Sequence, residues 1–240
     1  MNRLMLIGIV SLLPVLSFPD APRNPVFLAQ RIDGPDQYWY GQFSEGSAVF
    51  DVNNDGMLDI TSGPYWYEGP EFKRHPLREV VQRDEFIGNS GDHPYDVNRD
   101  GRIDIISNSW FGNQNIYWYE NPAVSDRLWQ KHLIAESQNI EYILLEDVDD
   151  DGDPDLLPSS WSDHEVFWVE MENGKFTRHV IGPHKVRHGI GYGEVNGDGR
   201  KDILTVRGWY QAPRDRVNGR WEWFPEFKIP GHGSLPILTH

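Results

Sequence analysis

The apolar residues of this chain fall in short runs, and four of those runs are variants of one another: Asp59-Ile-Thr-Ser, Asp104-Ile-Ile-Ser, Asp155-Leu-Leu-Pro and Asp202-Ile-Leu-Thr-Val. Each is rich in β-branched or aliphatic residues and soon broken by Gly, Pro or Asn, which predicts a short strand. An aromatic–acid strand follows each one: Trp66-Tyr67-Glu68, Trp118-Tyr119-Glu120, Trp168-Val169-Glu170 and Trp209-Tyr210-Gln211. In the first three units another element comes next, opening at His75, His132 and His179. Ahead of each run lies one more short segment, at 47–50, 93–95, 142–145 and 189–192. That makes four predicted strands per unit, and no helix-length amphipathic stretch appears after the N-terminus.

The first two strands of each unit are joined by an acidic loop nine residues long. Its copies are Asp51-Val-Asn53-Asn-Asp55-Gly56-Met57-Leu-Asp59, Asp96-Val-Asn98-Arg-Asp100-Gly101-Arg102-Ile-Asp104, Asp147-Val-Asp149-Asp-Asp151-Gly152-Asp153-Pro-Asp155 and Glu194-Val-Asn196-Gly-Asp198-Gly199-Arg200-Lys-Asp202. Oxygen-bearing side chains occupy loop positions 1, 3, 5 and 9, and glycine holds position 6. Ca²⁺ takes six to eight oxygens, and alternate residues of a tight loop can all point inward at one ion. Position 7 (Met57, Arg102, Asp153 or Arg200) would add a backbone carbonyl. The competing reading is a metal-free Asp/Asn turn, and four copies of one polarity pattern favour structural Ca²⁺. The fourth copy is expected to bind most weakly, because Glu194 replaces the leading Asp. These are not EF-hand loops, which need a bidentate Glu at position 12 between two helices. Here position 12 is Ser62, Ser107, Pro158 or Thr205, and a strand follows.

The loops begin at 51, 96, 147 and 194, a period of about 45 to 51 residues. Four-stranded units repeating at that spacing predict the blades of a β-propeller. The expected fold class is therefore all-β, with blades at about 43–80, 89–136, 140–182 and 187–228 and the start of a fifth at 231–240. The pattern resembles the FG-GAP/VCBS-type repeat of integrin α-subunit propellers and many secreted bacterial proteins. The resemblance covers roughly residues 40–230. Relatives commonly use seven blades, so it implies an incomplete propeller, with closure by four blades as the alternative. The fourth unit, His188-Gly-Ile-Gly-Tyr-Gly-Glu194 through Asp202-Ile-Leu and Gly208-Trp-Tyr-Gln-Ala-Pro213, also resembles a blade of aldos-2-ulose dehydratases. That likeness implies a lyase acting on keto- or anhydro-sugars.

Composition supports the fold and narrows the partners. Hydrophobic content is 38%, low for one large core, while 10 Trp, 10 Tyr and 11 Phe supply flat bulk for packing between stacked sheets. The Trp-Tyr-Glu aromatics are accordingly expected to be inter-blade core. Net charge is −15. An acidic chain with no basic cluster is a poor binder of nucleic acid or anionic membrane. Residues 1–17 read as a signal peptide: Arg3, an apolar run from Leu4 to Leu16, and a plausible cleavage point after Ser17. The run is too short for a stable membrane span, and the alternative is a buried N-terminal segment. The expectation is export to the periplasm, cell surface or medium. There calcium would supply the cross-linking that a chain with 0 Cys cannot take from disulfides.

First strands of propeller blades line the central channel, which makes Glu45, His93, Glu141 and His188 the candidate channel residues. Carboxylates and imidazoles converging there could perform acid–base chemistry or hold a transition metal such as Zn²⁺. The plainer reading is a wet, polar channel. Gly189, Gly191 and Gly193 are expected to leave room for a ligand beside His188. The leading function is a calcium-binding module for carbohydrate or protein; the alternative is the dehydratase, with His188 as base and Glu141 or Glu45 as partner.

Overall fold

The computed structural model describes residues 44–229, apart from 113, 125, 163, 164, 185 and 187, together with residues 32 and 237. The expected signal peptide lies outside them, and so does the expected fifth-blade start except for Ile237. All described strands belong to the compact unit Gln42–His240. The secondary structure there is strand without helix among the described residues. No helix among them is long and apolar enough to cross a membrane.

Four antiparallel sheets follow one another along the chain. The first is β1 (Ser47–Phe50), β2 (Asp59–Ser62), β3 (Tyr65–Glu68) and β4 (Lys73–Pro76). A small ribbon, β5 (Gln82–Arg83) and β6 (Phe86–Ile87), separates it from β7 (Gly91–Tyr95), β8 (Asp104–Asn108), β9 (Ile116–Glu120) and β10 (Gln130–Ala135). The third sheet is β11 (Ile140–Glu146), β12 (Asp155–Ser160), β13 (Val166–Glu172) and β14 (Lys175–Gly182). The fourth is β15 (Ile190–Gly193), β16 (Asp202–Thr205), β17 (Gly208–Gln211) and β18 (Glu222–Phe224). Within each sheet the strands neighbour in chain order. Register is the same at every acidic loop: the last residue of the first strand pairs with loop position 9, as Phe50 with Asp59, Tyr95 with Asp104, Glu146 with Asp155 and Gly193 with Asp202.

The core lies between successive sheets. Val52, Trp66 and Leu77 of the first sheet pack with Ile105, Tyr119 and Trp129 of the second. Ile106 and Trp118 turn the other way and join Ile140, Ile143, Leu156 and Phe167 of the third. Leu157 and Trp168 pack with Ile190, Ile203 and Tyr210 of the fourth. Adjacent residues of β8 and β12 thus bury opposite faces, which is why these strands are continuous apolar runs and not alternating ones.

Trp66, Trp118, Trp168 and Trp209 are all buried, as expected of core aromatics. Three of them stack on the histidine paired across the next strand. The ring centroids of Trp66 and His75 are 4.4 Å apart, and those of Trp118–His132 and Trp168–His179 are 4.3 Å apart. In each case the histidine Nε2 also hydrogen-bonds the Glu two residues after the Trp, at 2.8 Å to Glu68, 2.9 Å to Glu120 and 2.7 Å to Glu170. The recurring Trp-x-Glu and His are therefore one packing unit. The fourth sheet lacks that histidine, and Trp209 stacks on Phe224 at 4.7 Å. The indole N–H groups of Trp66, Trp129 and Trp168 have no hydrogen-bond partner.

One buried ion pair ties the first sheet to the second. Arg78 Nη2 donates to Asp92 Oδ2 at 2.7 Å, and Asn89 and Thr61 donate to the same carboxylate. Burial alone would raise the Asp92 pKa, but the Arg78 charge and these hydrogen bonds outweigh it and hold it below 3.8. The pair therefore contributes stability above that pH and loses it as the carboxyl protonates. Arg78→Ala would leave Asp92 charged and uncompensated, a loss of about 3–5 kcal/mol. Urea denaturation at pH 7 should show that loss, and the deficit should shrink at acid pH, where Asp92 takes a proton.

Candidate functional site

The acidic loops owe their shape to two left-handed residues. Position 6 has φ of +85° at Gly56, +86° at Gly101, +97° at Gly152 and +81° at Gly199. Position 4 is left-handed as well: Asn54, Arg99 and Asp150 have φ of 60°, 58° and 65°, and Gly197 has 80°. Asn, Asp and Gly tolerate this region, so three of the four position-4 residues carried a signal that sequence reasoning passed over; Arg99 carried none.

Loops one to three close in the same way. Asp51 accepts the amides of Asp55 and Gly56 on its two oxygens, Asn53 Oδ1 accepts Asp55 N–H, and Asp55 Oδ1 accepts Met57 N–H. Asp96, Asn98 and Asp100 repeat these bonds, as do Asp147, Asp149 and Asp151. In the third loop the carboxylates of Asp147, Asp149 and Asp151 bring one oxygen each to within 4.8 Å of one another, the only such group among the described residues. That oxygen set fits a hard cation such as Ca²⁺. Loops one and two place an Asn carbonyl at position 3 instead. In the fourth loop Glu194 reaches only the Gly197 amide, at 2.6 Å, while Asn196 and Asp198 keep their places. Arginines reach the third loop from both sides: Arg99 pairs with Asp153, and the buried Arg216 pairs with Asp150.

Position 9 behaves differently from positions 1, 3 and 5. Asp59, Asp104, Asp155 and Asp202 are buried at 0–1% exposure. Each carboxylate accepts the amide at loop position 2 and a second amide just beyond the third strand or at its end. For Asp155 these are Val148 and Met171, at 2.8 and 3.2 Å. Gly69, Asn121 and Ala212 play the second part for Asp59, Asp104 and Asp202. Burial raises the pKa of all four, to about 6 at Asp104 and about 7 at Asp155. Met57, Arg102, Asp153 and Arg200 hold position 7. The guanidiniums of Arg102 and Arg200 fold back onto Asp100 and Asp198 and donate to the Asn121 and Ala212 carbonyls.

The opposite end of the sheets carries the candidate channel residues. Glu45 Oε2 accepts the Trp110 indole N–H at 3.0 Å. His188 Nδ1 lies 3.4 Å from Glu141 Oε1, and the His188 ring is parallel to Trp161 with centroids 5.9 Å apart. The Glu141 carboxyl is pushed up by burial and then by the charge of Glu45. Glu141 is thus paired with His188 and within electrostatic reach of Glu45, with Trp110 bonded to Glu45 and Trp161 beside His188; Trp161 is 39% exposed. The His93 ring is edge-on to Tyr142, with centroids 6.4 Å apart, and burial holds its pKa low. Neither tryptophan was singled out from sequence, although both follow the second strand of their unit at Ser-Trp. The three glycines of the fourth unit do not all leave open space: a Cβ on Gly191 would lie 2.2 Å from the Ile237 carbonyl oxygen. That expectation is corrected there, because the chain itself fills the gap, with Ile237 N–H donating to Ile190 O at 3.0 Å.

Residues 96–157 match the family model of the FG-GAP-like repeat. The matched segment runs from the second acidic loop through the third and into β12. No curated protein matches the chain by sequence. Among solved structures the chain is similar to an Agrocybe aegerita lectin described for specific recognition of non-reducing terminal N-acetylglucosamine. Identity is 19% and the TM-score 0.45, with 73% of this chain and 50% of the lectin covered. The chain therefore spans about half the length of that lectin.

The position-9 clasp yields a stability test that does not involve any cation. Asp155→Ala would orphan two buried amides at about 1–3 kcal/mol each. Denaturant unfolding should show a loss of several kcal/mol, and Asp151→Ala, which removes an exposed side chain, should cost far less under EDTA.

Proposed function

We propose that this chain is an exported, calcium-stapled segment of a β-propeller whose tryptophan-bearing end binds carbohydrate. The observation that carries the binding reading is the group Trp110–Glu45, Glu141–His188–Trp161. Flat aromatic faces take the apolar face of a sugar ring, and carboxylates beside them accept its hydroxyl hydrogens. The apolar opening of the sequence at residues 4–16 supports export.

Calcium is supported by the carboxylate group of the third loop and by the repetition of its hydrogen-bond pattern in the first two. An ion there would bring the loop carboxylates together and relieve their repulsion. A cation bound only by the folded state stabilises by about 2.7 kcal/mol per site at a hundredfold excess over Kd. The expected outcome is a higher melting temperature with added Ca²⁺ than with EDTA, with Mg²⁺ less effective because it demands a tighter octahedral shell.

The dehydratase reading has one observation in its favour, the His188–Glu141 contact, with the Glu141 pKa raised by burial and by the charge of Glu45. An imidazole beside a carboxyl group suits proton removal next to a sugar carbonyl. Both readings use the same residues and are separated by one experiment. Titration calorimetry with neutral oligosaccharides should show binding that Trp161→Ala weakens by about 1–3 kcal/mol, the loss typical of one aromatic contact. Turnover of a keto- or anhydro-sugar, abolished by His188→Ala, would instead favour the enzyme. Absence of both binding and turnover would remove the carbohydrate reading.

A further inference from the structure

Backbone bonds join the lead-in segments at the tryptophan end of the sheets. The Glu45 and Gly46 amides donate to the Asn89 carbonyl at 3.2 and 3.0 Å, and Trp110 N–H donates to Ser90 Oγ at 3.2 Å. Ile140 N–H donates to the Ser109 carbonyl at 3.3 Å, and Asn108 Nδ2 donates to the Ile140 carbonyl at 2.9 Å. Glu141, the next residue, therefore starts beside the turn that carries Trp110. Trp161 N–H donates to the Asn139 carbonyl at 3.3 Å, two residues before Glu141. Glu45, Trp110, Glu141 and Trp161 are neighbours through the main chain, and not only through their side chains.

The charges of this group are one-sided. Elsewhere on the sheets carboxylates meet basic side chains: Glu146 pairs with Lys201 at 3.0 Å, Glu165 with Arg178 at 2.6 Å, and the buried Asp92 with Arg78. Among the described residues, Glu45 and Glu141 form no ion pair with Arg or Lys. Glu45 meets the Trp110 indole N–H, and Glu141 meets His188. The Glu141 side chain is only 18% exposed, and its carboxyl is pushed up first by burial and then by the charge of Glu45. Like charges oppose each other's ionisation, and a nearby opposite charge reverses that. A neutral sugar would hydrogen-bond these carboxylates and leave their repulsion in place. A cationic ligand would relieve it, and the face of an exposed indole also attracts an ammonium group.

We propose that the ligand of this end is a sugar carrying a free amino group, held as its ammonium by Glu45 and Glu141 with the sugar ring on Trp161. The proposal rests on the carbohydrate reading of the same residues and narrows it to a substrate class. An ammonium offers three donors, and its bonds to carboxylates are charge-assisted. The N-acetylated form of the same sugar has one amide N–H and no charge, so the site discriminates against it. A sugar with a hydroxyl in place of the amine keeps the shape and loses the charge.

The test is titration calorimetry on the full chain with the methyl β-glycosides of glucosamine, N-acetylglucosamine and glucose. A pH of about 6.5 lies below the ordinary range of an α-amino group, so the amine carries its charge. The glucosamine glycoside should bind about tenfold tighter than the other two, or better, as expected of a charge-assisted contact. Glu45→Gln keeps an acceptor for Trp110, and Glu141→Gln keeps one for His188, so the double variant should fold with an unchanged or higher melting temperature. In it the three glycosides should bind alike. Glu71→Gln, which removes one exposed charge from the β3–β4 turn at the other end, should leave the preference intact. Three glycosides bound equally well by the parent, and weakened by Trp161→Ala, would overturn the amine preference and keep the carbohydrate reading. A preference that survives in the double variant, or that Glu71→Gln removes, would mark general attraction to an acidic chain and would also overturn it. No binding of any glycoside would remove the amine proposal and the carbohydrate reading together.

Discussion

The fold depends on a carboxylate that faces away from water. At the ninth loop position Asp59, Asp104, Asp155 and Asp202 are each sealed in the sheet and bonded to two amides, one in the loop and one at the far end of the third strand. One side chain thereby fixes the loop, the start of the second strand and the exit from the third. Buried amides at the end of a short strand need partners, and four-residue strands have few ladder bonds to spare. The carboxylate supplies what the ladder cannot. Its cost is desolvation, visible in the raised pKa of all four groups. A cation placed beside the outer carboxylates would lower that cost by favouring the charged form of the buried one. Loop occupancy and sheet stability are then two sides of one electrostatic arrangement.

Packing between sheets follows from the same economy of short strands. No single sheet can bury enough surface alone, so the middle two are apolar on both faces, with Ile105 and Ile106 or Leu156 and Leu157 serving different neighbours. The Trp–His–Glu unit adds a polar link to this apolar stack. The histidine lies flat on the indole and its nitrogen meets the glutamate, which in the first sheet also receives the loop residue Asn53. Core packing is in that way connected to the first acidic loop through Glu68.

Much of this was legible in the sequence. The strand starts at Asp59, Asp104, Asp155 and Asp202 were readable because the loop motif sets the register, and the buried fate of Trp66, Trp118 and Trp168 followed from their periodic recurrence. Other features were not legible, for identifiable reasons. The fourth strand of the last sheet, Glu222–Phe224, lacks the leading histidine and so gave no repeat signal. Glu45, Glu141 and His188 share a loop-relative position, which is why the approach of His188 to Glu141 could be expected; His93 lies three residues closer to its loop, and its ring meets Tyr142. Trp110 and Trp161 recur in only two units, too few to stand out against the stronger Trp-x-Glu pattern. The ion pair of Arg78 and Asp92 joins residues of two different units, and no single-unit pattern contains it.

The meander order divides these parts between two ends. The first-to-second and third-to-fourth connections fall at one end of every sheet, and the second-to-third connections and the lead-ins to the first strands fall at the other. Acidic loops must therefore sit opposite Trp110, Trp161, Glu45 and His188, whatever the sequence between them. A cation held at the loop end is then a sheet's length from a ligand at the tryptophan end. It can stabilise the strands that carry that ligand without competing for its carboxylates.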